Sequence, residues 1–120
     1  MAFEHNLPLR VTRRRKDGIT LVCAIREDLL NETGTMHGGV VASIADEAVW
    51  HAINHHFGRK LPSTTTELKV NFLRPIRGRR VTARTVLVRA GRTLCVGRVD
   101  FLDDARRLAA VAIVTYMLLK

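Results

Sequence analysis

One run in this chain has the period of a helix, while its other apolar runs read as strands. Residues 38–56, GGVVASIADEAVWHAINHH, place Val41, Ile44, Ala45, Ala48, Val49, Ala52 and Ile53 at three-and-four spacing. That spacing lines one side of a helix with apolar side chains. His55 and His56 stand at its C-terminal end, where positive character is favoured, and Gly58 follows as a stop. A single long amphipathic helix must bury its stripe against the rest of the chain, so the rest has to supply a sheet.

The remaining segments fit that demand. Residues 7–15 and 19–26 are strand-like and meet at Asp17-Gly18, a hairpin-turn pair. Residues 27–36 read as a loop and residues 61–63 as a turn. In TELKVNFL, Leu68, Val70 and Phe72 alternate with Glu67, Lys69 and Asn71, and Pro75 ends the strand before the turn IRGRR. Residues 81–90 and 93–102 flank Gly91-Arg92, and residues 108–119 complete the set. The expectation is an α+β fold, an antiparallel sheet of about six strands wrapped around one long central helix. At 120 residues it forms one domain, 1–120, with a core large enough to fold without staples.

Charge narrows the partners. Twenty Lys and Arg face 11 acids, a net charge of +9, which favours an anionic partner: nucleic acid, acidic lipid or a phosphorylated ligand. The cluster Arg13-Arg14-Arg15-Lys16 precedes the hairpin turn and reads as a solvated tip. Tyr116, Phe3, Phe57, Phe72 and Phe101 are too scattered to suggest base stacking, so no nucleic acid is expected. The longest apolar run, residues 108–119, is shorter than the roughly 20 residues a membrane span needs, so no membrane partner is expected either. The N-terminus has no apolar signal region, and Cys23 and Cys95 sit far apart in strand-like runs. Reduced, buried thiols in a cytoplasmic protein follow as the expectation. His51 and His55 are one helical turn apart, but no Glu or Cys completes a metal set and no His-Glu-x-x-His occurs. No metal or other cofactor is expected.

Two features of the helix suggest chemistry. A helix start leaves N–H groups unpaired and carries partial positive charge, and glycines let a ligand oxygen approach. Gly38 and Gly39 therefore suit an anion or oxyanion site, or they only relieve crowding where the helix meets the sheet. Asp46 shares a stripe with Ala42 and Trp50 at the border of the apolar face, beside the polar stripe Ser43, Glu47, His51 and Asn54. A carboxylate there suits a general base or nucleophile. On position alone, a solvated boundary aspartate is the simpler reading. Glu47 looks like ordinary surface.

The motif NETGTMHGG, followed by IADEA, resembles the signature of hotdog-fold acyl-CoA thioesterases. The nearest group is the PaaI-type (phenylacetate-pathway) subfamily, related to the hydroxybenzoyl-CoA thioesterases. TTTELKVNFLRP, RAGRT and AVAIVTYMLL resemble the later strands of that family, in order, so the likeness runs from about Leu9 onward. It implies that Asp46 is the catalytic carboxylate, attacking the thioester or activating a water. It implies that Gly38 offers the N–H that polarises the carbonyl, and that His37 and Asn31 orient thioester, water and loop. Thr65 matches a position that holds the attacking water, with Thr64 and Thr66 one residue away. Gly39, Trp50 and Arg92 fall on the binding side. Arg92 is the first choice for the coenzyme A phosphates, ahead of Arg59, Lys60, Arg77, Arg79, Arg80 and Arg89. The N-terminus departs from the family pattern, in which a helix often precedes the first strand and walls the acyl pocket.

The function implied is hydrolysis of a small or medium acyl-CoA, aromatic ones included. The alternative is a non-catalytic acyl-CoA-binding hotdog protein, a sensor or regulatory module. Such regulators add a helix-turn-helix segment, for which 120 residues leave no room. Asp46 also favours the enzyme, since a pure binding site has no need of a carboxylate there. Geometry adds an assembly. Gly38 and Asp46 lie eight residues apart, roughly 12 Å along a helix. A base and an oxyanion donor must each sit within about 3 Å of their reacting atoms. Two antiparallel helices from two chains meet that condition, so a homodimer with shared sites is expected. The resemblance implies the same, with a dimer of dimers as the further step.

Overall fold

The alternating segments become six antiparallel strands, in a computed structural model that describes residues 3–119. In chain order they are β1 (Leu9–Arg15), β2 (Gly18–Ala24), the helix α1 (Gly38–Phe57), β3 (Ser63–Phe72), β4 (Arg80–Ala90), β5 (Leu94–Leu102) and β6 (Leu108–Leu118). They form one sheet in the order β1-β2-β4-β5-β6-β3, so β3 crosses to the edge opposite β1. The α+β expectation, one helix wrapped by about six strands, holds.

The core follows from the two periods. All seven apolar positions expected on α1 are buried, and the sheet meets them with Leu21, Ala83, Val99, Phe101, Ala112 and Val114. The backbone of β5 runs close under the helix at Gly97. A Cβ there would lie 2.6 Å from Val49 Cγ2, so a side chain at position 97 would push the helix off the sheet. Gly58 ends α1 in the left-handed conformation (φ 72°), and the N–H groups of Gly58 and Arg59 return to the carbonyls of His55 and Asn54. Cys23 and Cys95 are free and buried.

Several element boundaries differ, β1 among them, which starts at Leu9 rather than residue 7. β3 starts at Ser63, ahead of the expected TELKVNFL, because Ser63 and Thr64 pair with Leu118 and Met117 of β6. The three consecutive threonines suit that extension. β2 ends at Ala24 rather than residue 26, where Ile25 turns to bond Arg79. In front of β1 stands one 3₁₀ turn, Phe3–Asn6, and another, Glu27–Leu29, lies within the expected loop. The outer edge of β3 has no strand beside it among the described residues, and Phe72 and the following Leu73 are more than half exposed.

Candidate active site

Asp46 sits half-buried on the flank of α1 that faces β3 and β6. Thr65 Oγ1 donates to its Oδ1 at 2.6 Å. Tyr116 Oη lies 2.9 Å from the same Oδ1 and 2.9 Å from the Asp46 carbonyl oxygen. Thr65 and Tyr116 are direct cross-strand partners, and both side chains point at the helix. The register slips just after Thr65, leaving Thr66 as the extra residue of a bulge. Thr66 instead donates to the Thr115 carbonyl at 3.3 Å, and Thr64 is exposed. Of the three threonines, Thr65 is therefore the one that reaches Asp46.

Tyr116 was not expected here; in the sequence it is one scattered aromatic among five. A signal was present. The alternation Ala110, Ala112, Val114, Tyr116 puts the ring on the inner face, where a buried hydroxyl must find a partner. Burial first, and with it the Asp46 charge, hold this phenol well above its ordinary range. It remains a proton donor.

Glu47 corrects the sequence reading. It is half-buried rather than ordinary surface, and desolvation, then the charges of Glu4 and Asp46, raise its carboxyl to about 7. Glu4 belongs to the N-terminal turn, whose return to the helix leaves no periodic signal.

The helix start is built by His37. Its Nδ1 accepts the Gly39 N–H at 2.9 Å, which leaves the ring proton of a neutral His37 on Nε2. The N–H groups of Val40 and Val41 bond the His37 carbonyl at 2.9 and 3.2 Å. Gly39 is thus committed to the cap and does not join Gly38 as a free donor. Gly38 is left as the first-turn residue whose N–H meets no acceptor among the described residues. Asn31 braces the loop before it. Its Oδ1 accepts from the N–H groups of Thr33 and Thr35 and from Thr33 Oγ1, at 2.7–3.1 Å. Asn31 and Gly38 share a depression of about 400 Å³ with Met36, Val41, Phe72 and Ile76.

The expected site residues therefore form two groups. Asn31, His37 and Gly38 gather at the start of α1. Asp46 and Thr65, with Tyr116, gather about 12 Å further along it. One chain does not bring Gly38 to Asp46. Trp50, one turn beyond Asp46, is half-buried beneath the Lys60 ammonium, which stands 5.7 Å from the ring centroid. Arg92 is exposed in the β4–β5 turn, three residues before Cys95, the β5 partner of Tyr116. Arg77, Arg79 and Arg80 lie at the other end of the sheet, so the arginines considered for phosphate divide between two ends. His55 Nε2 meets the Arg15 carbonyl at 2.8 Å. No group of three or more His, Cys, Asp or Glu suited to a metal occurs among the described residues.

This geometry has relatives. Residues 33–110 match the thioesterase superfamily. The medium/long-chain acyl-CoA thioesterase YigI of Escherichia coli K12 is 35% identical, over 98% of this chain and 85% of its own. Among solved structures, a thioesterase family protein from Silicibacter pomeroyi has TM-score 0.88 at 28% identity, covering 99% of this chain and 90% of its own. A variant of the phenylacetic acid degradation protein PaaI from Thermus thermophilus has TM-score 0.82 at 28% identity, covering 98% of both chains. By the matched residues, the whole-length relative and the helix-in-sheet architecture together, the chain belongs to the thioesterase superfamily and is a hotdog-fold thioester hydrolase.

Proposed function

We propose that this protein hydrolyses acyl-CoA thioesters, with Asp46 as general base and the Gly38 N–H as oxyanion donor. The observation that carries the reading is a braced, half-buried carboxylate on the same helix as one unsatisfied first-turn N–H. The Asp46 carboxylate takes a proton from water as the water oxygen attacks the thioester carbonyl carbon. The oxygen that gains charge accepts the Gly38 N–H, and the positive helix end favours it. Collapse breaks the carbon–sulfur bond, and the coenzyme A thiolate takes up the proton.

Since Gly38 and Asp46 lie about 12 Å apart in one chain, each site takes Asp46 from one chain and Gly38 from its partner. The unpaired edge of β3, with Phe72 and Leu73 exposed, suits pairing with a second copy, and a dimer of dimers is the further assembly. Arg92 lies at the end of the sheet where the coenzyme A phosphates could be met. Medium-chain acyl groups are the favoured substrates, where the sequence expectation and the range named for YigI overlap. The protein is read as cytoplasmic, with Cys23 and Cys95 reduced; no helix among the described residues is long and apolar enough to cross a membrane.

The test is thiol release from a panel of short, medium, long and aromatic acyl-CoAs. Turnover of the medium-chain members well above an Asp46→Asn control is expected. A panel with no member above that control would leave only a binding protein. A single turnover in oxygen-18 water tests attack by the Asp46 carboxylate. Unlabelled product acid with label in Asp46 marks that attack, whereas labelled acid follows either from direct attack by water or from hydrolysis of the anhydride at its acyl carbon.

A further inference from the structure

We infer that Tyr116 is a positioning residue for the reaction, its hydroxyl acting with that of Thr65 to turn the Asp46 carboxylate so that Oδ2 faces the reacting atoms. The inference rests on the reading of Asp46 as the catalytic carboxylate. Three elements converge on one oxygen. From β3 comes Thr65 Oγ1 at 2.6 Å, from β6 comes Tyr116 Oη at 2.9 Å, and both meet Oδ1 of a residue on α1. Oδ2 receives no side-chain or backbone donor among the described residues.

An aspartate carboxylate rotates about its last torsion in a broad, two-fold well. A single donor leaves it free to pivot. Two donors from different strands fix both its plane and which oxygen is turned away. The Tyr116 ring suits this task because it is 4% exposed and packed in the core cluster, so its hydroxyl has a fixed origin. Thr65 is its cross-strand partner, so the pairing of β3 with β6 sets the spacing of the two hydroxyls.

A purely structural role has to be separated from this one. The hydroxyl carries one proton and has two acceptors at 2.9 Å, the carboxylate Oδ1 and the Asp46 carbonyl. The carbonyl alone would satisfy a buried phenol. The anionic oxygen is the stronger acceptor, and the contact to it is the one that bears on catalysis.

Two measurements test the assignment. Tyr116→Phe keeps the ring and removes the hydroxyl. It should lower kcat about tenfold and leave KM within about twofold, because the lost bond acts on the reacting group and not on substrate binding. A variant that melts earlier but keeps the wild-type kcat would give Tyr116 a structural role only. The second measurement does not depend on that variant folding. The chain has one tyrosine, so its Raman Fermi doublet reports Tyr116 alone. In Asp46→Ala the doublet should move from the pattern of a hydroxyl donating to an anion toward that of one donating to a carbonyl. An unchanged doublet would mean that the proton always sat on the carbonyl, and would overturn the inference. The two readings also fail separately. If Asp46→Asn turned over normally, the role of Asp46 would fall. If Asp46→Asn were inactive and Tyr116→Phe normal, only the role of Tyr116 would fall.

Discussion

Asp46 is braced by two hydroxyls, with no cation bonded to it among the described residues, and that choice leaves its charge available. Asp46→Asn should lower kcat by about a hundredfold or more, the range of general acid–base catalysis, in a chain that still folds. Thr65→Ala should cost about tenfold, since Tyr116 would still hold Oδ1; a Thr65 variant as inactive as Asp46→Asn would mean that Thr65 itself handles the attacking water. Glu47 offers a different test. Its carboxyl sits near 7 against an ordinary value of 4.5. Between those two pH values the folded chain holds a proton that the unfolded chain has released, so stability falls as pH rises through the window. Glu47→Gln, which never ionises, should match the wild type below pH 4.5 and exceed it at pH 8. The gain should be about 1 kcal/mol once the solvent reaching this half-buried group is allowed for, or about 4 °C in Tm by calorimetry. At this scale the sequence was uneven. Asp46 could be placed at the border of the apolar face from spacing alone. The reach of Thr65 could not, because a bulge decides which threonine points inward. Tyr116 could not either, because seventy residues separate it from Asp46 and only the sheet joins them.

The helix was the most legible element. Its seven buried positions, its start at Gly38 and its glycine stop follow from period and capping, which are local. The order of strands is not local. Nothing in the alternation of β3 says that it will pair with β6 at the far edge rather than with its neighbour in sequence, β4. Nor does a lone glycine announce the packing at Gly97. That contact can be tested. Gly97→Ala should drive a methyl into Val49 and destabilise the fold by about 1–3 kcal/mol in urea denaturation. Combining it with Val49→Ala should recover part of the loss, since the two side chains would compete for the same space. Additive losses would mean that the sheet, and not the helix, gives way.

For the whole molecule, the separation of Gly38 from Asp46 governs what an assembly must do. Two inactive proteins, Asp46→Ala and Gly38→Pro, should complement each other when co-expressed. In a mixed pair one site inherits both defects, while the other receives an intact carboxylate and an intact helix start. Confirmed heterodimers should then approach half the native rate; proline near a helix start is tolerated, and size-exclusion chromatography checks that Gly38→Pro still pairs. Inactive heterodimers would require a site built within one chain. On the proposed shared site, a lone chain would hold half of each catalytic set and be an enzyme only in company. Dilution should therefore silence it as well as thin it. Far below the dissociation constant of the pair, the rate should climb with roughly the square of protein concentration, and far above it in simple proportion. Any substrate that binds only across the pair would act as its own glue, so a diluted sample should regain specific activity as substrate is added.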